Sequence, residues 1–101
     1  MSKYEVIFIV DARSSDGEKA EVAKQVTDLT AKVGGQVLAC DIWIDRQRMA
    51  FPLKKAWEGT YYKMDAEIPE LEVARFRKEL LINERILRFL IVAVQPEKAA
   101  A

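Results

Sequence analysis

The stretch QVLACDIWIDRQRMAFPLKKAWEGTYYKMDAEI, residues 36 to 68, predicts the pair of antiparallel strands that decides the fold. Its opening QVLACDIWI is rich in β-branched and aromatic residues, and its closing TYYKMDAEI alternates apolar and polar side chains, as a strand with one buried face does. Pro52 and Gly59 between them exclude a helix and favour a long hairpin, with the proline at a sheet edge or in the connection. The alternation predicts that one face of the second strand is buried, through Tyr62, Met64, Ala66 and Ile68.

Two further strands are predicted near the two ends of the chain. YEVIFIV, residues 4 to 10, is apolar on both faces, which is typical of a central strand. ILRFLIVAV, residues 86 to 94, places Leu87, Phe89 and Ile91 on one face and the alternate residues on the other. The hairpin is therefore flanked in sequence by strands that can complete a sheet.

Two helices are predicted between these strands. Ser15 and Glu18 have the spacing of a capping box before an amphipathic segment that Gly34 and Gly35 end. Pro69 is expected at the first position of the second helix, whose apolar residues recur at helical spacing as Val73, Phe76 and Leu80.

The resulting order β-α-β-β-α-β predicts an α+β domain with a four-stranded antiparallel sheet and both helices on one face. We expect one domain over residues 1–95 and a short flexible tail over 96–101. The face without helices should carry an exposed apolar group bordered by Lys63, Tyr61 and Arg88. Such a patch usually marks a binding surface; its members are Ile7, Ile9, Leu90 and Val92.

Charge is sorted along the chain although the total is neutral, with 16 basic and 16 acidic residues. Residues 46–63 hold five basic side chains and one acidic one, and residues 75–88 hold five basic and two acidic ones. Two basic blocks in a neutral protein can form one face that attracts phosphate, although a solvated surface of mixed sign is the simpler interpretation.

Enzyme, metal and membrane classes are disfavoured by the residues present. The chain has no histidine, no glycine-rich phosphate loop and no metal-ligand spacing, so we expect no enzymatic activity, metal or cofactor. The one cysteine, Cys40, lies in an apolar strand, which favours a structural role. The N-terminus lacks the pattern of a signal peptide and no apolar run reaches about 18 residues, so a cytoplasmic protein is expected.

Three segments carry a resemblance to a known family: KYEVIFIVD (3–11), WIDRQRMAFPLKKAWEGTYYK (43–63) and ERILRFLIV (84–92). In this order they resemble protein six of the bacterial small ribosomal subunit over nearly the whole chain. The second segment is similar to the family pattern of a tryptophan, basic residues, L-A-Y-P-I-x-K and G-x-Y. Ile44 and Asp45 follow Trp43 where that pattern continues with glycine and basic residues, which predicts a bulge or an extra residue that shifts the register of Arg46 and Arg48.

The resemblance implies a ferredoxin-like structural protein that binds the central domain of small-subunit ribosomal RNA together with small-subunit protein eighteen. Arginine and lysine position phosphate oxygens, and the expected RNA contacts are Lys3, Arg46, Arg48, Lys54, Lys55, Arg85 and Arg88. The expected contacts with the partner protein are Ile7, Ile9, Tyr61, Leu90 and Val92.

Other interpretations of these residues remain open at this point. Lysines of the hairpin can protect a sheet edge from aggregation, and Arg85 or Arg88 can pair with Glu84 or Glu67. A homodimeric regulatory or small-molecule-binding domain would pair through the same open face. A single-strand binder of the RRM type would need exposed aromatic residues on the first and third strands, and the first strand of this chain has Ile7 and Ile9 there.

Overall fold

The computed structural model of the protein describes residues 2–54 and 56–94. The elements are β1 (Ser2–Asp11), α1 (Asp16–Lys32), β2 (Gln36–Leu53), β3 (Ala56–Ile68), α2 (Val73–Leu81) and β4 (Ile86–Ala93), with a 3-10 turn at Glu70–Glu72. The predicted order β-α-β-β-α-β is confirmed. Lys55 and the predicted tail at 96–101 lie outside the described residues.

The four strands form one sheet in the order β2-β3-β1-β4, and every neighbouring pair is antiparallel. β1 is central, as predicted, with β3 on one side and β4 on the other. Val6 lies opposite Met64 on β3 and Ile91 on β4, so the three strands present one continuous apolar face.

Both helices cover that face, and the core lies between them and the sheet. Val22 of α1, Phe76 of α2 and Phe8 of β1 are all completely buried in one cluster. Tyr62 stacks on Phe8 with ring centroids 5.1 Å apart and planes 3° from parallel, which confirms its predicted place in the core. The opposite face of the sheet has no helix against it among the described residues.

The start and end of α1 follow the sequence signals. The Glu18 backbone N–H donates to Ser15 Oγ at 3.2 Å, and the Ser15 N–H donates to Glu18 Oε1 at 3.1 Å, which is the predicted capping box. Gly34 has a φ of 84°, in the left-handed region that a residue without Cβ adopts without strain.

Several boundaries differ from expectation. β2 runs beyond its predicted segment to Leu53 and includes Pro52, which lies at the sheet edge, one of its two predicted places, since an edge strand tolerates a residue without an N–H. β3 begins at Ala56, before its alternating stretch. Pro69 is not the first helical residue as predicted, since its extended ψ of 129° places it just before the 3-10 turn that leads into α2.

The hairpin of β2 and β3 closes over the open-face side of Ile9. A Cβ built on Gly59 would lie 2.5 Å from Ile9 Cγ2 and 3.8 Å from Met49 Cε. Ile9 is consequently only 7% exposed, although its position on the open face agrees with prediction. The expectation that Ile9 is part of an exposed patch is wrong, because sequence parity gives the face of a residue and not what folds over it.

Gly59→Ala is expected to destabilise the protein by about 1–3 kcal/mol, because a buried β-branched side chain has to move to admit the methyl group. Gly17→Ala is the matched control, since a Cβ there meets nothing closer than Ser15 Oγ at 4.0 Å and alanine favours a helix. Urea unfolding of the two variants measures the difference. Equal unfolding midpoints would contradict close packing of the hairpin on Ile9.

Candidate nucleic-acid interface

Basic side chains gather at the end of the sheet where β1 stops and β4 starts. Arg46 Nη2 donates to the Ala12 carbonyl at 3.3 Å, just beyond the end of β1. Lys54 Nζ donates to the carbonyls of Glu84 at 3.3 Å and Ile86 at 3.2 Å, at the start of β4. The β2 part of the hairpin therefore places positive charge beside the end of β1 and the start of β4, which lie at the same end of the sheet.

Arg46 is held but only partly covered. Its Nη1 donates to Glu58 Oε1 on β3 at 2.8 Å, and the two side chains are 53% and 35% exposed. Both contacts leave the guanidinium reachable from solvent.

Arg48 lies against an aromatic ring on the same hairpin. Its guanidinium carbon is 5.7 Å from the centroid of the exposed Trp57 ring, within the range of a cation–π contact. This contact orients a positive group at the surface and occupies part of the indole that would otherwise be open to a base.

Lys54 has a structural role as well as a charge. Its φ of 48° is unusual for a residue with a side chain, and its ammonium group donates to the carbonyl of Glu84, just before β4, and to that of Ile86, the first residue of β4. Lys54 thus joins the hairpin tip to the start of β4. Its neighbour Lys55, also expected at the RNA, lies outside the described residues.

The remaining predicted basic residues occupy different places. Arg85 Nη1 lies 3.4 Å from Glu21 Oε2 on α1, so its partner is neither Glu84 nor Glu67. Arg88 is exposed, and no ion pair to it occurs within residues 2–54 and 56–94. Lys3 is exposed at the opposite end of β1. At the usual rise per residue of a strand it lies about 26 Å from Asp11, so it is not part of the basic end.

One arginine near this end was missed from the sequence. Arg13 directly follows Ala12, the residue whose carbonyl accepts from Arg46, and its Nη2 lies 2.9 Å from Asp11 Oδ2. The hydrogen bond from the Arg13 side chain is the main reason that the pKa of Asp11 is lowered. The sequence shows that Arg13 follows the end of the first predicted strand, which could have placed it at this end of the sheet. Arg13 was missed because it lies outside both basic blocks.

An apolar groove beside the basic end runs from the open face around the edge strand β4 to Leu81 of α2. Leu90 is 56% exposed there, and the residues expected on the open face that line the groove are Ile7, Ile9, Tyr61 and Leu90. Trp43 also lines it, with its ring edge-on to Tyr61 at a centroid distance of 6.4 Å. Val92 is 41% exposed further along β4.

Trp43 was not assigned to this surface from the sequence. Alternate residues of a strand share a face, so Trp43 would have been placed there together with Asp41. Asp41 lies opposite Lys63, whose ammonium group is 3.5 Å from Glu5 on the same open face. The β2–β3 register shifts between Ile42 and Ile44 and again before Gln47. The predicted shift of register near Trp43 is confirmed, and it precedes Arg48, which lies opposite Glu58.

Nothing in the described part of the chain resembles a catalytic or metal centre. No group of three potential metal ligands occurs there. Burial, and secondarily the charge of Asp41, raises the pKa of the Cys40 thiol, which disfavours the reactive thiolate. Within the same residues, none of the helices has the length and apolar character that crossing a membrane requires.

Comparison with known proteins decides the family. The family model described as "Ribosomal protein S6" matches residues 3–93. The chain belongs to the ribosomal protein S6 family. The predicted family is confirmed, and with it the prediction that the protein is a structural component of the small ribosomal subunit, in the cytoplasm, and not an enzyme.

Relatives in the ribosomal protein S6 family match the chain along nearly its whole length. "Small ribosomal subunit protein bS6" of Trichlorobacter lovleyi is 32% identical and covers 100% of this chain and 84% of its own. The protein of that name from Dictyoglomus turgidum is 26% identical, covering 97% of this chain and 100% of its own.

The fold agrees with a solved structure of the same family. The crystal structure of 30S ribosomal protein S6 from Thermotoga maritima superposes with a TM-score of 0.82 at 16% identity, over 92% of this chain and 87% of that one. The predicted ferredoxin-like fold is thereby confirmed.

Proposed function

We propose that this S6 protein binds the central domain of small-subunit ribosomal RNA, at the platform, jointly with small-subunit protein eighteen. One observation carries the proposal: the basic end and the apolar groove adjoin at Arg88. Arg88 lines the groove with Ile7 and Leu90, and it lines a second depression with Arg48 of the hairpin. A protein docked in the groove would therefore lie next to RNA bound at the basic end.

The basic end suits phosphate recognition. Affinity for RNA comes largely from counterions released when arginine and lysine neutralise phosphates, and arginine adds two-pronged hydrogen bonding. Arg46, Arg48 and Arg88 are all exposed there. Because the whole chain has no net charge, its attraction for RNA is local and binding by the isolated protein should be weak.

The groove suits a protein partner. Leu90 and Trp43 in the groove are 56% and 54% exposed, and Val92 beyond it is 41% exposed. Exposed apolar side chains of this kind often mark a surface that a partner covers. Burial of these apolar side chains against a partner protein adds affinity to that of a few phosphate contacts, so the groove and the basic end are expected to act together.

Fluorescence anisotropy of a labelled central-domain RNA fragment tests joint binding. We expect the partner protein to tighten binding of this chain by at least about tenfold, which needs only about 1.4 kcal/mol of coupling. We also expect the logarithm of the association constant to fall linearly with the logarithm of salt concentration. Equal affinity with and without the partner would contradict the proposal.

A further inference from the structure

We infer that Glu58 is a positioning residue for RNA recognition, holding the Arg46 guanidinium ready for a phosphate. This inference rests on the proposed function. Glu58 is the one acidic residue between Arg46 and Lys63, where a negative charge weakens attraction for RNA unless it has another role.

The geometry supplies that role. Glu58 Oε1 accepts from Arg46 Nη1 at 2.8 Å while the Ala12 carbonyl accepts from Arg46 Nη2 at 3.3 Å. The Ala12 N–H donates to the Glu58 carbonyl at 3.1 Å, so both acceptors belong to backbone segments that are bonded to each other. The long arginine side chain is therefore anchored at two points on a rigid part of the fold.

The anchored Arg46 guanidinium still has N–H groups that can donate to a ligand. A guanidinium has five N–H donors, and among the described residues Arg46 uses two of them. Its side chain is 53% exposed, so the remaining donors are open to phosphate oxygens. An arginine that is already ordered loses less conformational entropy when it binds, and binding is tighter as a result.

The chain offers a closely matched control in Glu72. Glu72 Oε1 lies 3.2 Å from Arg75 Nη1, and these side chains are 36% and 53% exposed, nearly the values of the Glu58–Arg46 pair. Glu58→Gln and Glu72→Gln each remove one acid and weaken one exposed ion pair. Only the first alters an arginine expected at the RNA.

The experiment measures affinity for the central-domain RNA with the partner protein present. Glu58→Gln is expected to weaken binding about 2- to 10-fold, although it makes the protein more positive, because Arg46 has to be ordered on binding. Glu72→Gln should bind at least as tightly as the unchanged protein. In an Arg46→Gln background, Glu58→Gln should cause no further weakening, whereas a general loss of structure would weaken binding in that background too.

The possible results separate this inference from the proposed function. Unchanged or tighter binding by Glu58→Gln, or weakening that persists in the Arg46→Gln background, would overturn the positioning role alone. Full affinity of Arg46→Gln would overturn the contact between Arg46 and RNA on which the inference rests. Urea unfolding of each variant shows whether the fold is retained.

Discussion

Replacement of Arg46, Arg48 and Arg88 together by glutamine is expected to lower affinity for central-domain RNA, with the partner protein present, by at least about 100-fold. Hydrogen bonds to charged groups contribute about 1.5–3 kcal/mol each, and every 1.4 kcal/mol is about a factor of ten. The slope of log affinity against log salt should also become shallower by about 2 to 3, since each phosphate contact contributes about 0.7 to 0.9.

The choice of residues for this triple variant follows from the structure. Lys54 is left in place because its ammonium group bonds the Glu84 and Ile86 carbonyls, so its loss would disturb the fold as well as the charge. Lys55 is left in place because it lies outside the described residues.

A triple replacement of Lys24, Lys32 and Lys78 by glutamine is the control for net charge. All three are exposed and lie on the helices rather than on the hairpin or β4. Lys19 is unsuitable although it is on α1, because it is only 8% exposed and its substitution would affect packing. Equal losses from the two triple variants would mean that RNA attraction is not located at the basic end.

Leu90→Asp is expected to abolish capture of small-subunit protein eighteen, the second large effect. Leu90 is 56% exposed on the edge strand β4, so the free protein is expected to remain folded after the change. In a complex the new carboxylate would be buried without a positive charge or a hydrogen-bond donor beside it, which is strongly unfavourable. Immobilised partner protein and a series of chain concentrations give the dissociation constant.

Leu71→Asp is the matched control for this substitution. Leu71 is 94% exposed on the 3-10 turn, so its replacement by aspartate makes the same chemical change away from the groove. Undiminished capture by Leu90→Asp would place the partner elsewhere. If instead the unchanged chain forms dimers that Leu90→Asp separates, the open face is a homodimer contact, as the alternative interpretation predicts.

The sequence predicted the elements well because their signals are local. The capping box at Ser15, the alternation around Met64 and the glycine pair after α1 each act within a few residues. It also placed Ile7 and Leu90 on one face, since strand parity needs no knowledge of distant contacts.

What the sequence did not predict depends on contacts between distant segments. Ile9 is covered because the hairpin closes over it, and Arg46 meets Glu58 and Ala12 because a bulged strand bends toward the end of β1. The separation of Lys3 from the other basic residues follows from the length of β1. Charge blocks counted along a chain do not contain this information.

Sedimentation of bacterial lysates on a sucrose gradient tests the central claim most directly, that this S6 protein joins the small subunit through its basic end. Tagged unchanged chain and the variant with glutamine at 46, 48 and 88 are expressed at equal low levels. The account predicts that the unchanged chain travels with the small subunit, while the variant stays at the top of the gradient although its thermal unfolding shows that it is folded. Cosedimentation of both proteins with the small subunit to the same extent would contradict it.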